Sequence, residues 1–481
     1  MTASPNDCGA DAPLGGVRRF FAGGTEFPNR IASPSPVVAD SPRRYGLLLA
    51  LLLAALLPRL VMASLIPTIC SDGTTYVAAA ESIERDGLRS RAGYHLNLYP
   101  VILTGLHRLG FSWEIAGKTW GVLCSVLVVL PLFGWVRRQF DDRVATFACL
   151  LYAAHPKLIE WAPELIREQT FWLLFTTGLY ASWRAATEVR FIYYLAAALS
   201  LAAATFTRFE GLFLVVPLLY WTVARFFALK TGRDRLAKIF CLTFLAAPCL
   251  LLIVQVVWLQ KVPLAQFLNS GPLERVSGLA RTFFGADGSN AHSYDFVHHG
   301  NRPSPFSLIT IGRTCQVVFR GLTLPFALLL VVGLVSQGRR SLKSDRLPAV
   351  VLALTTMGAI WVHTWYSGLA SSRYILTVAL ISTGTAAAGL LDLCAALARL
   401  RSAIRWSSWQ RATLASLTSA VFLYGCCDAF KTNYKGRVDK AALGAWIRER
   451  CGEDRVIYGS EEQLDLIAYY AHSRCVRLPT N

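Results

Sequence analysis

From residue 45 to residue 427 the chain alternates long apolar runs with short basic segments. The first run, 45–66, is followed by others at 115–136, 144–154, 170–186, 191–207, 212–229, 239–259, 317–335, 348–365, 374–396 and 412–427. At ~20 residues per crossing these read as about eleven membrane-spanning helices. The run 144–154 is the shortest and stops at His155-Pro156. The run 45–66 reads as a first membrane helix rather than a signal peptide, because a long tail precedes it and further spans follow. That tail, 1–44, is rich in Pro, Ser, Gly and Ala, has no sustained apolar period, and reads as a disordered cytoplasmic segment.

The segments between the runs set an expected orientation. Residues 137–143, 184–190, 230–238, 339–346 and 399–411 are short and rich in Lys and Arg, which places them and the N-terminus in the cytoplasm. An odd number of spans then puts the C-terminus outside, in the cell (cytoplasmic or inner) membrane. The outer face receives two long loops, 67–114 and 260–316, and the tail 429–481. In the first loop, Tyr76, Ala79, Ala80 and Ile83 recur at three- and four-residue spacing, the apolar face of an interfacial helix. A second such helix is expected from Leu98. The loop 260–316 carries Pro, Gly, Ser, Asn and His with little period and reads as a lid over a site. The tail alternates helix and strand patterns and predicts a small α/β appendage. The whole is an all-α polytopic protein in three parts, 1–44, 45–428 and 429–481.

Composition agrees with that class. Of 481 residues, 54% are hydrophobic and only 16% charged, and the mean hydropathy is +0.42, which excludes a soluble globular protein. The net charge of +18 does not argue for nucleic acid, because the basic residues sit in the short loops. Of the 12 cysteines, most lie inside apolar runs as small hydrophobes and no pair has metal-ligand spacing. Cys451 and Cys475 share the outer tail, where an oxidising compartment favours a disulfide.

The candidate chemistry lies at the ends of the runs. Asp72 heads the first interfacial helix and reads either as its N-cap or as a general base or metal ligand. His95 and Tyr99 follow it in the same loop, with Tyr76 on the helix between. Glu164, Arg167 and Glu168 open the run 170–186. Arg208 and Glu210 lie between two runs, and Arg373-Tyr374 heads 374–396. Arginine on the outer face runs against the positive-inside bias and asks for an anionic partner, either a carboxylate or a lipid phosphate. Arg59, inside the first run, is expected to snorkel or to pair within the bundle, and Asp392 to pair with an arginine. In the lid, His292 and Asp295, with Asp72, are the weak candidates for a divalent metal; their spacing matches no standard signature, and no cofactor is required by the sequence. GxGxxG, P-loop, HExxH and GxSxG motifs are absent.

Four elements in this order resemble the membrane-embedded GT-C glycosyltransferases, above all family 39, with its dolichyl-phosphate-mannose protein mannosyltransferases and aminoarabinose transferase relatives. They are Asp72-x-x-x-Tyr76, Tyr99-Pro100, the stretch from His155-Pro156 to Glu164–Glu168, and Arg208-x-Glu210-Gly211 with Arg373-Tyr374. The resemblance covers about residues 45–400. It implies a sugar donor linked to polyprenyl phosphate, an extracytoplasmic site and Asp72 as the first-loop acid, with the acceptor open among protein, lipid and polysaccharide. Many relatives carry an acidic pair where this chain has Asp72-Gly73. One carboxylate to take the proton of an acceptor hydroxyl, and arginines to hold the departing phosphate, make a sufficient minimal site. A transporter or flippase of lipid-linked sugars is the alternative. It would spread its polar residues near the midplane in repeated halves rather than gather Asp72, Arg208 and Arg373 in one outward cavity.

Overall fold

The computed structural model describes residues 42–87, 97–188, 190–217, 220, 306–342, 346–367, 371–400, 406–431, 434–460 and 463–478. The chain opens with α1 (Pro42–Leu65), followed by α2 (Ser71–Asp86), α3 (Leu98–Arg108), α4 (Trp113–Leu127), α5 (Val129–Gln139), α6 (Asp142–Ala154) and the short α7 (Pro156–Glu160). After the irregular segment 161–167 come α8 (Glu168–Thr187), α9 (Phe191–Thr207) and a 3-10 turn (Phe209–Leu214). The later helices are α10 (Leu308–Leu322), α11 (Leu324–Leu342), α12 (Leu347–Ser367), α13 (Ser372–Leu400) and α14 (Trp406–Phe430). A small module closes the chain: α15 (Lys435–Cys451), β1 (Val456–Gly459), α16 (Leu464–Tyr470) and β2 (Arg474–Arg477). Its strands pair in parallel, Ile457 opposite Cys475, with α16 as the crossover.

Local chemistry sets several helix starts. Asn97, Ser112, Asp141 and Ser307 each accept a backbone N–H from the first turn of α3, α4, α6 and α10. Among the described residues five helices are long and apolar enough to cross a membrane, or six if α10 and α11 count as one bent span. The runs 144–154 and 191–207 are helical but short, 13 and 17 residues. The run 239–259, most of 212–229, His95, His292, Asp295 and the lid up to residue 305 lie outside the described residues.

Three expectations change. The run 317–335 is not one helix, because the chain turns by 97° between α10 and α11. Pro325 lies in the first turn of α11, where its missing N–H costs nothing, but it disfavours a helix continuing through from α10. The corner residue Thr323 takes up the change with φ 59° and ψ 149°. Residues 308–316, expected within a loose lid, are the opening turns of α10, capped by Ser307. Among the described residues Asp392 is met by Ser336 and Gln337 rather than by an arginine: Ser336 Oγ donates to it at 2.7 Å and Gln337 Nε2 at 3.1 Å.

Leu53, Leu57, Leu60 and Val61 on α1 stay exposed, as lipid-facing positions do, while Arg59 is fully buried. Arg59 is paired rather than snorkelling. Its guanidinium donates to Ser125 Oγ (2.6 Å), Ala55 O (2.8 Å) and Ala153 O (3.4 Å), and stacks over the Tyr152 ring. A charge inside a bundle is tolerated when its donors are used in this way. At one end of the bundle a second core forms from Ile69, Val77, Ala80, Tyr99, Leu103, Ala116, Leu165 and Leu466. It ties the two interfacial helices, the segment 161–167 and the C-terminal module into one layer.

Candidate active site

Glu168 is the first residue of α8, where the helix dipole favours a carboxylate. The segment leading to it is buried without regular structure because α4 makes room. A Cβ on Gly121 would stand 2.4 Å from Ala162 O, so only glycine admits this approach. Arg208 caps the end of α9 in extended conformation, φ −149° and ψ 138°. The chain folds straight back, and Gly211 lies so close to α9 that a Cβ there would be 2.4 Å from Thr205 N. That turn aims Arg208 at Glu168, with 2.5 Å between Nη1 and Oε1, and brings Glu210 onto the same guanidinium.

Arg373, in the first turn of α13, completes the network. It ion-pairs with Asp72 through Oδ2, and its Nε is 3.4 Å from Glu168 Oε1. The Tyr374 ring lies under both guanidiniums, 5.1 Å from Arg208 and 5.4 Å from Arg373, within cation–π range. His363 of α12 meets the Tyr374 ring edge-on at 5.0 Å. Asp72, Glu168, Glu210, Arg208, Arg373 and Tyr374, drawn from four separate stretches of chain, thus form one connected cluster. Asp72 is not the helix cap. The N-cap of α2 is Cys70, and the Asp72 carboxylate, two residues further on, goes to Arg373 instead.

The three carboxylates differ in access. The Glu168 side chain is 3% exposed, Glu210 34% and Asp72 45%, so Asp72 is the most exposed of the three. Burial acts to raise the Glu210 carboxyl, but the Arg208 guanidinium outweighs it and holds the group at about 2. Burial likewise opposes the charge on Arg208, and Glu210 and Glu168 override it and raise the group. Burial, then Glu168, pushes the Tyr76 hydroxyl up, so it stays protonated as a donor. Arg167 makes no ion pair among the described residues, and its Nε is buried without a partner.

Other expected site residues separate from this cluster. Glu164 turns away to Arg437 of α15, 2.7 Å from its Nη1. Tyr99 is fully buried under α2, edge-on to Tyr76 at 5.2 Å, and supports that helix. Cys451 and Cys475 are not bridged: Cys451 is exposed and Cys475 Sγ donates to Asp465 Oδ1 at 3.1 Å. His363 and Arg437 were not expected from the sequence; His363, a polar residue near the end of an apolar run, carried the same signal that marked Arg373.

Among the described residues no three His, Cys, Asp or Glu side chains gather as a cation site. Asp72, Glu168 and Glu210 each face a guanidinium, and His292 and Asp295, the other candidates for a divalent metal, lie outside the described residues.

Residues 98–258, about a third of the chain, match the family model described as dolichyl-phosphate-mannose-protein mannosyltransferase. The helical layout matches ArnT from Cupriavidus metallidurans in the apo state with a TM-score of 0.58 and 14% identity, covering 91% of this chain and 86% of that one. The same ArnT bound to undecaprenyl phosphate matches with a TM-score of 0.55 and 14% identity over 90% and 86%. This chain has the GT-C glycosyltransferase fold. The GT-C likeness extends to the apo oligosaccharyltransferase of Archaeoglobus fulgidus, with a TM-score of 0.57 and 13% identity over 92% of this chain. This chain spans only 65% of that longer protein, which is also known in complex with zinc and sulfate. No curated protein sequence matches the chain. With its apolar spans, the GT-C fold makes this a multi-pass membrane protein.

Proposed function

We propose that the protein is a membrane glycosyltransferase that moves a sugar from a polyprenyl-phosphate-linked donor to an acceptor hydroxyl on the extracytoplasmic face. The observation that carries this reading is the joining of Asp72, Glu168, Arg208 and Arg373 in one cluster, with Arg167, which makes no ion pair among the described residues, one residue before Glu168. A transporter would not need its charges locked into one terminal cluster. The undecaprenyl phosphate in the ArnT structure supports the donor class.

Each residue has a task in this reading. Arg167 and Arg373 receive the donor phosphate, for which the guanidinium fork is suited. Arg208 stays bound to Glu168 and Glu210 and holds the frame. When the phosphate draws Arg373 away from Asp72, the carboxylate is released as a general base. The acceptor oxygen attacks the anomeric carbon, its proton passes to Asp72, and the bond from that carbon to the phosphate oxygen breaks. The lipid phosphate leaves as an anion and needs cations rather than a general acid.

The test is sugar transfer from defined polyprenyl-phosphate donors by the purified protein in liposomes. Asp72→Asn keeps the shape and removes the proton acceptor, so turnover should fall by roughly 10²–10⁴-fold with folding intact. Near-normal transfer by a well-folded Asp72→Asn protein would overturn the base assignment. No transfer by the native protein across a panel of such donors would overturn the donor class.

A further inference from the structure

The turn that presents Asp72 is held from outside the bundle. Residues 66–70 have no regular structure, and α2 begins immediately after them without a side-chain cap at Cys70. The Ile69 N–H, three residues before Asp72, donates to the Tyr470 hydroxyl at 3.2 Å. That hydroxyl in turn donates to Glu114 Oε1 at 2.8 Å, at the start of α4. A phenol can accept one hydrogen bond while donating another, and here both capacities are used. Burial, reinforced by Glu114, keeps Tyr470 protonated and therefore able to donate.

A second contact from the same module reaches the segment that leads to Glu168. Arg437 pairs with Glu164, which is buried in the segment that ends at Glu168. Leu165 of that segment packs on α2, where a Cβ built on Gly73 would lie 3.2 Å from Leu165 O. Leu466 of α16 is fully buried in the same core as Ile69 and Leu165. The approaches to Asp72 and to Glu168 are thus both fastened by the C-terminal module, which itself contributes no residue to the ion-pair cluster among the described residues.

We infer that the C-terminal module is a positioning element of the site, with Tyr470 as a positioning residue that fixes the Ile69–Asp72 turn through its hydroxyl. The catalytic half of this inference rests on the glycosyltransferase reading; the structural half does not. With Tyr470 in place, Asp72 is presented in one orientation between Arg373 and the acceptor. Without the hydroxyl the turn samples others, and productive encounters become rarer while donor binding is untouched.

The experiment uses the full-length protein in nanodiscs and compares native, Tyr470→Phe, Glu114→Gln and Glu114→Leu forms. Tyr470→Phe keeps the ring and its packing and removes only the hydroxyl. Hydrogen–deuterium exchange in peptides covering residues 66–76 should quicken by roughly five- to tenfold, the factor expected for one lost hydrogen bond. Glu114→Gln keeps an acceptor oxygen for Tyr470 and should exchange at the native rate, whereas Glu114→Leu should resemble Tyr470→Phe. In the transfer assay, Tyr470→Phe should lower kcat by roughly tenfold with the donor KM unchanged, the same factor. That loss should vanish in an Asp72→Asn background, since the hydroxyl acts through Asp72. Unchanged exchange at 66–76 would overturn the clamp whatever the activity does. A kcat loss that persists in the Asp72→Asn background would overturn the positioning role and leave a general structural one. If exchange quickens but the native protein transfers no sugar from any polyprenyl-phosphate donor, the contact stands and the functional reading falls.

Discussion

Three carboxylates share two guanidiniums at one end of the bundle, and their surroundings divide them by task. Glu168 is sealed in and can serve only as a fixed counter-charge, Glu210 is locked to Arg208, and Asp72 alone combines exposure with a pairing that a phosphate could displace. Among the described residues Arg167 makes no ion pair and its Nε is unpartnered, so in the proposed reading Arg167→Ala should weaken donor binding by roughly 10–100-fold, the range of a lost charged hydrogen bond. Its kcat at saturating donor should fall far less, and donor titration in the transfer assay checks the split. Glu210 gives a pH prediction. A carboxyl depressed in the folded state adds stability that is fully present above its ordinary value, 4.5, and is lost as pH falls through about 2. The solubilised protein should therefore lose stability across that interval, and Glu210→Gln should flatten the acid limb of a melting-temperature series. An identical acid limb in the variant would assign the loss to other groups. Asp72, Arg208 and Arg373 were legible in the sequence because each interrupts or borders an apolar run. The Glu164–Arg437 pair was not, since its members are 273 residues apart and nothing local marks them as partners.

Among the elements, the helices were read well and their corners poorly. Hydrophobic periodicity located α2 and α3, although the buried residues of α2 are Gly73, Thr74, Val77, Ala80 and Ser82 rather than the expected face of Tyr76, Ala79, Ala80 and Ile83. It does not report direction. The run 317–335 is continuous in hydropathy, yet the chain turns at Thr323, and the only local cue was Pro325 two residues on. Thr323 occupies a backbone region, φ 59° and ψ 149°, that residues other than glycine enter at a cost of about 1–3 kcal/mol. Thr323→Gly should recover part of that cost and raise the melting temperature in detergent, while Thr323→Pro, which demands φ near −65°, should lower it. Loss of stability in Thr323→Gly would mean that the side chain, buried beside His155 and Phe326, contributes more by packing than the backbone loses by strain.

At the scale of the whole molecule, the basic loops and the site constrain each other. Asp72 lies in the first turn of an interfacial helix, Glu168 begins a helix, Arg208 ends one and Arg373 begins another. These four positions can meet only if the intervening chain returns to the same face each time. The C-terminal module contacts Glu114, Ile69 and Glu164 on that face, so it must lie on the same side as Asp72. The short segments rich in Lys and Arg are expected on the opposite, cytoplasmic face by the positive-inside bias. The side-chain contacts put the C-terminal module on the side of Asp72, and the charge bias alone predicts that this side is outside. A reporter active only outside the cytoplasm should be active when fused at Asn481 and when inserted between residues 88 and 96, and silent when inserted in 339–346. The two outer fusions must agree with each other whatever the absolute orientation, because Tyr470 and Ile69 share a hydrogen bond. Opposite signals from Asn481 and 88–96 would contradict the docking of the C-terminal module and, with it, the clamp on Asp72. Agreement between them with an active reporter at 339–346 would reverse the orientation, placing the site in the cytoplasm and overturning an extracytoplasmic acceptor.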